Sequence, residues 1–217
     1  TRLNVSRSMS DVTLTFRIID NVIPSVSQLA LEPELVELCT LNNGLVLING
    51  PTGTGKTTII ASVLRHNQLQ YAEKIITLEK PIEYIYDNDG VPGFVVQREI
   101  GGDARSFRMA LDAAMREAPN RILVGEVRNQ EEVDAALYAA ESGHWTISTI
   151  HASSSPTSIS RIMQMYSGEE LRRILGSLSD NLRGMCNQVL LKRADGNGRV
   201  GVREILLVDD EIERMVR

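Results

Sequence analysis

The sequence predicts an α/β fold built on a central, mostly parallel sheet. Three observations carry that expectation. Four compact apolar runs, at 45–49, 74–78, 122–124 and 146–150, are rich in Ile, Val and Leu and bounded by polar or glycine residues, as strands covered on both faces are. Stretches suited to helices, at 57–66, 106–117 and 131–141, lie between those runs, and alternating strand and helix points to a parallel sheet. A glycine-rich segment joins the first run directly to the first helix.

Taken in order, residues 1–20 read as two short strands, 2–6 and 12–19, the second placing Val12, Leu14, Phe16 and Ile18 on one face. Two strands alone are marginally stable, so this stretch is expected to end a neighbouring domain or to pack on the main body, which occupies 21–217. Pro33 opens a short helix running to Leu41, and Asn42-Asn43-Gly44 stops it. After the four strands and their helices, Leu171, Ile174, Leu175, Leu178, Leu182, Met185 and Val189 recur at helical spacing. They predict one C-terminal amphipathic helix, facing the core or a partner. Runs at 189–192 and 199–208 flank Ala194-Asp195-Gly196-Asn197-Gly198, a strong signal for a β-hairpin.

Composition narrows the function classes. Of 217 residues 42% are hydrophobic and 24% charged, which excludes disorder, collagen and a small disulfide scaffold. Lys+Arg 23 against Asp+Glu 28 leaves a net charge of −5, without the broad cationic face of a nonspecific nucleic-acid binder. Cys39 and Cys186 sit in apolar stretches and read as buried free thiols of a reducing compartment. No apolar run approaches the roughly 18 residues of a membrane span.

Gly50-Pro51-Thr52-Gly53-Thr54-Gly55-Lys56-Thr57-Thr58 matches the phosphate-binding loop, between a strand and a helix as that loop requires. Its glycines let the backbone wrap a phosphate and aim N–H groups at it, and the following helix adds its positive N-terminal dipole. Thr52, Gly53, Thr54, Gly55, Lys56, Thr57 and Thr58 are the candidate nucleotide-binding residues. Lys56 would reach the β- and γ-phosphates, and the Thr57 hydroxyl would ligate Mg²⁺. ATP or GTP with magnesium is the implied ligand.

Ligands of open parallel sheets collect at the C-terminal edges of the strands. There the second, third and fourth runs end in Glu79, Glu126 and His151. Each alone also fits a solvated loop carboxylate or a satisfied histidine. With the phosphate loop on the same edge, the three together read as a site.

From about residue 19 to 208 the sequence resembles the secretion and type IV pilus motor ATPases. The resemblance rests on the phosphate loop, on Ile75-Ile76-Thr77-Leu78-Glu79-Lys80-Pro81-Ile82-Glu83-Tyr84, on Ile122-Leu123-Val124-Gly125-Glu126-Val127-Arg128, and on Ala140-Glu141-Ser142-Gly143-His144 through Ser148-Thr149-Ile150-His151-Ala152-Ser153. Val96-Gln97-Arg98-Glu99-Ile100-Gly101 and Ser106-Phe107 also match, and four ordered boxes at family spacing are highly specific. The resemblance implies a RecA-like P-loop NTPase domain, preceded by a PAS-like domain whose tail is residues 1–20, in a homo-hexamer.

The resemblance also assigns roles. Glu79 would orient or activate the attacking water, Glu126 would hold the magnesium shell, and His151 would sense the γ-phosphate. Arg116 and Arg128 fall in arginine-bearing family motifs. Arg7 and Arg17 resemble arginines that the preceding domain presents to a nucleotide, the plain alternative being exposed strand arginines. His144 fits the family's Gly-His pair, and helix-end capping explains it equally. The chain departs from the family pattern at Lys80, where an acidic residue is usual, and at Asp112, where arginine is common. Ala118-Pro119 leans toward the conjugation and type IVB secretion branch. The absence of a Cys-x-x-Cys pair disfavours the zinc-bearing assembly and type II secretion branch.

The expected function is Mg²⁺-dependent ATP hydrolysis powering type IV pilus dynamics, conjugation or protein secretion. The expected place is the cytoplasm at the inner face of a bacterial inner membrane, docked to a membrane platform protein and holding no stable nucleic acid. Two rivals are a RecA-like nucleic-acid translocase, which salt-sensitive DNA-stimulated hydrolysis would reveal, and a nucleotide-gated assembly scaffold with little turnover, which retained ATP without phosphate release would reveal.

Overall fold

A computed structural model of the chain describes residues 2–9, 11–17 and 22–216. The elements in order are β1 (Arg2–Ser8), β2 (Asp11–Arg17), α1 (Pro33–Leu38), β3 (Gly44–Asn49), α2 (Lys56–Gln70), β4 (Lys74–Glu79), β5 (Phe94–Glu99), α3 (Phe107–Met115) and β6 (Arg121–Val127). They continue as α4 (Gln130–Glu141), β7 (Trp145–Ile150), α5 (Ser155–Met163), α6 (Gly168–Asn181), β8 (Leu182–Lys192), β9 (Arg199–Leu207) and α7 (Asp210–Val216).

Seven strands form one sheet in the order β5-β4-β6-β7-β3-β8-β9, parallel except for the antiparallel β8–β9 pair. All six residues of β3 and of β7 are buried, which is why neither sequence alternates. The pleat still sorts side chains: Leu45 and Leu47 join a core with α3, α4, α5 and α6, while Val46 and Ile48 join a second core with α1 and α2. Helix starts follow local chemistry. Ser106 and Ser154 cap α3 and α5, and Asn129 with Glu132 forms a reciprocal capping box on α4.

The four expected central strands and their three helices are present, within a few residues of their sequence bounds. The long C-terminal helix is not. It stops at Asn181, and Leu182, Met185 and Val189 belong to β8, which at 11 residues is nearly three times the length expected for the first hairpin strand. Those residues kept helical spacing by coincidence, because the inner part of β8 is buried on both faces and shows no alternation. Gly184 marks the strand instead: a Cβ there would sit 2.5 Å from the Leu38 side chain, so only glycine admits α1 at this distance. Strand β5 and helices α5 and α7 add elements absent from the sequence reading, and α1 ends at Leu38, short of Leu41.

Strands β1 and β2 pair antiparallel, with Leu3 opposite Phe16 and Val5 opposite Leu14. Those four side chains remain about half exposed or more. Ile18, assigned by sequence to the same face, lies outside the described residues. Both cysteines are buried and free; burial raises both thiols, that of Cys186 to about 12. Among the described residues no helix is long and apolar enough to cross a membrane.

Candidate functional site

The loop after β3 supplies the cradle. Gly50, Gly53 and Gly55 all take positive φ, and at Gly50 a Cβ would lie 2.4 Å from the Gln188 carbonyl of β8. Helix α2 begins directly at Lys56 with Gly55 as its N-cap, and no side chain caps it. Its first-turn N–H groups are therefore available to an anion. Gln188 donates its side-chain amide to the Thr54 carbonyl, and the Thr54 hydroxyl donates to the Pro51 carbonyl at 2.9 Å, so the loop is braced from behind.

A cavity of about 910 Å³ opens over this loop. Thr52, Gly53, Gly55, Lys56, Thr57 and Thr58 line it, whereas Thr54 is turned into the protein. Glu79, Glu126, Arg128 and His151 reach the same cavity from β4, β6 and the segments after β6 and β7. The convergence read from the strand ends is present.

Buried Lys56 donates to the Gly50 and Pro51 carbonyls at 2.8 and 2.9 Å and lies 3.1 Å from Nδ1 of His151. An ammonium only donates, so Nδ1 accepts and the imidazole proton sits on Nε2, which donates to Glu126 Oε1 at 2.8 Å. Burial lowers the pKa of His151, and Lys56 lowers it further against the opposing pull of Glu126, which keeps the ring neutral. Burial also lowers the pKa of Lys56, which Glu126 partly offsets. Arg128 pairs with Oε2 of Glu126, so a relay of four side chains runs from the phosphate loop to the cavity mouth.

Glu79 differs from Glu126. It is 7% exposed, and burial raises its pKa against the hydrogen bonds it accepts from Thr77 Oγ1 at 2.6 Å and from Gln97 Nε2 at 3.4 Å. These bonds aim a carboxylate that holds its proton more tightly than usual. Gly125 lets β6 pass close to the end of β4: the register of β6 against β7 slips between Val124 and Glu126, and a Cβ on Gly125 would lie 3.1 Å from the Leu78 carbonyl.

Several contributors escaped the sequence reading. Gln97 comes from β5 and also donates to the Tyr84 carbonyl at 2.8 Å; Tyr84 meets the Thr58 hydroxyl at 3.0 Å; Arg199 faces the cavity from the β8–β9 hairpin. The available signals were the box containing Gln97 and the arginine beside the hairpin turn. Conversely, Arg116 caps the C-terminus of α3, is exposed, and does not line the cavity; its neighbour Glu117 pairs with Lys74 at the opposite edge of the sheet. His144 lies on that opposite edge too, its carbonyl accepting from Gly44 at 3.2 Å. Arg7 is exposed on β1 and does not line the cavity, and Arg17 ends β2.

Among the described residues no cluster of His, Cys, Asp and Glu could hold a metal unaided. Thr57 and Glu126 are one hydroxyl and one carboxylate among those that line the cavity. That donor set fits Mg²⁺, which takes one or two protein oxygens and completes its shell with phosphate and water.

The profile of the family described as Type II/IV secretion system protein matches residues 9–217. Type IV pilus ATPase PilU of Pseudomonas aeruginosa is 37% identical over 90% of the chain and 51% of its own length. Type IV pilus retractation ATPase PilT of the same organism is 34% identical over 100% of the chain and 62% of its own length. Among solved structures, the pilus retraction motor PilT with bound ADP superposes with a TM-score of 0.91 at 38% identity, over 99% of this chain and 62% of that one. The Legionella pneumophila ATPase DotB superposes at 0.89 and 31% identity, over 98% of this chain and 59% of that one. The chain thus spans about half to three fifths of the relatives it matches.

Proposed function

Because the chain belongs to the Type II/IV secretion system protein family, we propose that it is the ATP-hydrolysing domain of a hexameric motor serving type IV pili, conjugation or secretion. The observation that carries this reading is the Lys56–His151–Glu126 relay beside a buried, aimed Glu79. In it the triphosphate lies on the N–H groups of 53–58, and Lys56 exchanges its two carbonyl partners for phosphate oxygens. Thr57 and Glu126 would hold Mg²⁺, which when bound would supply a Lewis acid on the phosphate oxygens.

Glu79 positions the attacking water. Its raised pKa brings its proton affinity toward that of a working base, and Thr77 and Gln97 fix its direction. Neutral His151, tied to both Lys56 and Glu126, reports the presence of the terminal phosphate to β6 and β7. Arg128 must leave Glu126 Oε2 for that oxygen to serve the metal shell. Arg116 and Arg7 lie outside the cavity, and the roles of Arg116, Arg7 and Arg17 belong to contacts between subunits, where an arginine can stabilise charge on the transferred group in trans.

The exposed apolar face of the β1–β2 hairpin supports residues 1–20 as the tail of a preceding PAS-like domain, with the motor domain over 21–217. The motor would work in the cytoplasm at the inner face of the bacterial inner membrane, docked on a platform protein. Phosphate release by the full-length protein, measured with its native mass, tests the proposal. Mg²⁺-dependent release by a hexamer, lost in Lys56→Ala, is expected. Release that persists in Lys56→Ala would overturn it.

A further inference from the structure

Six cations face the cavity among the described residues: Lys56, Lys80, Arg128, Arg193, Arg199 and Arg203. Four are engaged. Lys56 is held by two carbonyls and His151, Arg128 by Glu126, Arg193 by Asp195 and Arg203 by Glu32. Lys80 and Arg199 make no side-chain hydrogen bond or ion pair with the described residues. The strand order puts them on opposite sides of the cradle. Arg199 begins β9, beyond β8, while Lys80 follows β4, on the side where β6 and β7 bring Glu126 and His151.

The surroundings of Lys80 are specific. Its backbone lies against the slipped register of β6, where a Cβ on Gly125 would be 3.9 Å from Lys80 N. Two of the acids nearest in sequence and fold are already partnered, Glu126 by His151 and Arg128 and Glu79 by Thr77 and Gln97, while Glu83 also lines the cavity. An ammonium on a flexible stem thus stands free at the end of the cavity where hydrolysis would occur. A compact point charge of that kind suits a phosphate oxygen.

We propose that Lys80 is a second lysine for the terminal phosphate, supplied by the chain itself, and that it makes the cradle favour a triphosphate over a diphosphate. This rests on the reading of the cavity as an ATP site and adds the basis of discrimination. Lys56 reaches the phosphates through the loop, so its charge serves both nucleotides. Lys80 approaches from the β4 side, and only the third phosphate comes within its reach.

The test is calorimetric titration of MgATPγS and MgADP into the 217-residue chain and its Lys80→Ala, Lys80→Glu and Lys80→Arg variants. Lys80→Ala is expected to weaken MgATPγS binding by about tenfold, the scale of one charge-assisted contact, and to leave MgADP within about twofold. Lys80→Glu should lose more, and Lys80→Arg should retain most of the discrimination. Lys80 is exposed, so unchanged melting temperatures check that each variant is folded. Equal losses for both nucleotides would mean a general field effect or a pairing with Glu83, and would overturn the proposal, as would no loss for either. In those two cases MgADP binding by the parent leaves the ATP-site reading standing; a parent that bound neither nucleotide would overturn both.

Discussion

The two ends of β6 hold a cation and an anion under opposite conditions. At its start Arg121 is 2% exposed and every side-chain nitrogen is engaged. It pairs with Glu73, donates to the Cys39, Thr40 and Leu41 carbonyls just beyond α1, and lies over the Trp145 ring at 5.1 Å. Trp145 donates its indole N–H to the Leu38 carbonyl at 3.0 Å, closing the same corner. At the other end Glu126 is 20% exposed and lines the cavity, and its partners His151 and Arg128 are side chains that can let go. A charge satisfied by fixed carbonyls serves as a latch. A charge satisfied by titratable or exposed partners is available for exchange with a ligand.

The comparison breaks most directly at the latch. Arg121→Met leaves Glu73 and three carbonyls without a donor, and stability should fall by about 3–5 kcal/mol, the usual cost of breaking a buried pair. Thermal unfolding should show a drop on the order of 10 °C, while nucleotide affinity below the transition stays at the parent value. If binding fell with stability, the two ends would not be separable. Lys56→Met makes the opposite test. Hydrolysis should fall by about 10²–10³-fold, the scale of losing one preorganised charge contact, with a melting temperature within a few degrees of the parent. A collapse of stability there would make Lys56 a latch as well.

Glu79→Gln sharpens the contrast between the buried acid and the open one. Burial raises the Glu79 pKa in the folded protein, so its contribution to stability is full below the unfolded value of about 4.3 and is lost as pH rises through the folded value. The amide should therefore raise the melting temperature at pH 7–8 by about 2–4 °C, a gain that shrinks toward pH 4, while hydrolysis is lost. His151→Gln should have the smallest effect. The His151 pKa is lowered, so its contribution is present above about pH 6.5 and lost as pH falls through the folded value. Melting curves from pH 7.5 to 5.5 should lose about 1–2 °C of pH dependence in the variant. An unchanged slope would show that burial and Lys56 do not hold the ring neutral.

Much of the site was legible because its chemistry is written locally. The phosphate loop needs glycines and a lysine at fixed spacing, Glu79 and His151 follow directly on an apolar run, and Glu126 follows one after a single glycine. What escaped has physical causes. Strand β5 lies at the edge of the sheet, and its Gln97-Arg98-Glu99 end carries no apolar pattern. The passage from α6 to β8 has no glycine or proline between Asn181 and Leu182, and the change of period hides in residues buried either way. Thr77 and Gln97, which aim Glu79, looked like ordinary strand residues because their partner is set by strand pairing.

By itself the sequence determined which segments become strands and helices around the cradle, and which residue types stand at the strand ends, since both follow from spacing along the chain. Only the tertiary structure decided which ends meet, with what proton and which partner. Lys56 and His151 are 95 residues apart, and the carbonyls that accept from Arg121 come from a segment about 80 residues away. Parallel crossovers and one slipped register bring these groups together, and burial there, absent from any local pattern, shifts their proton affinities.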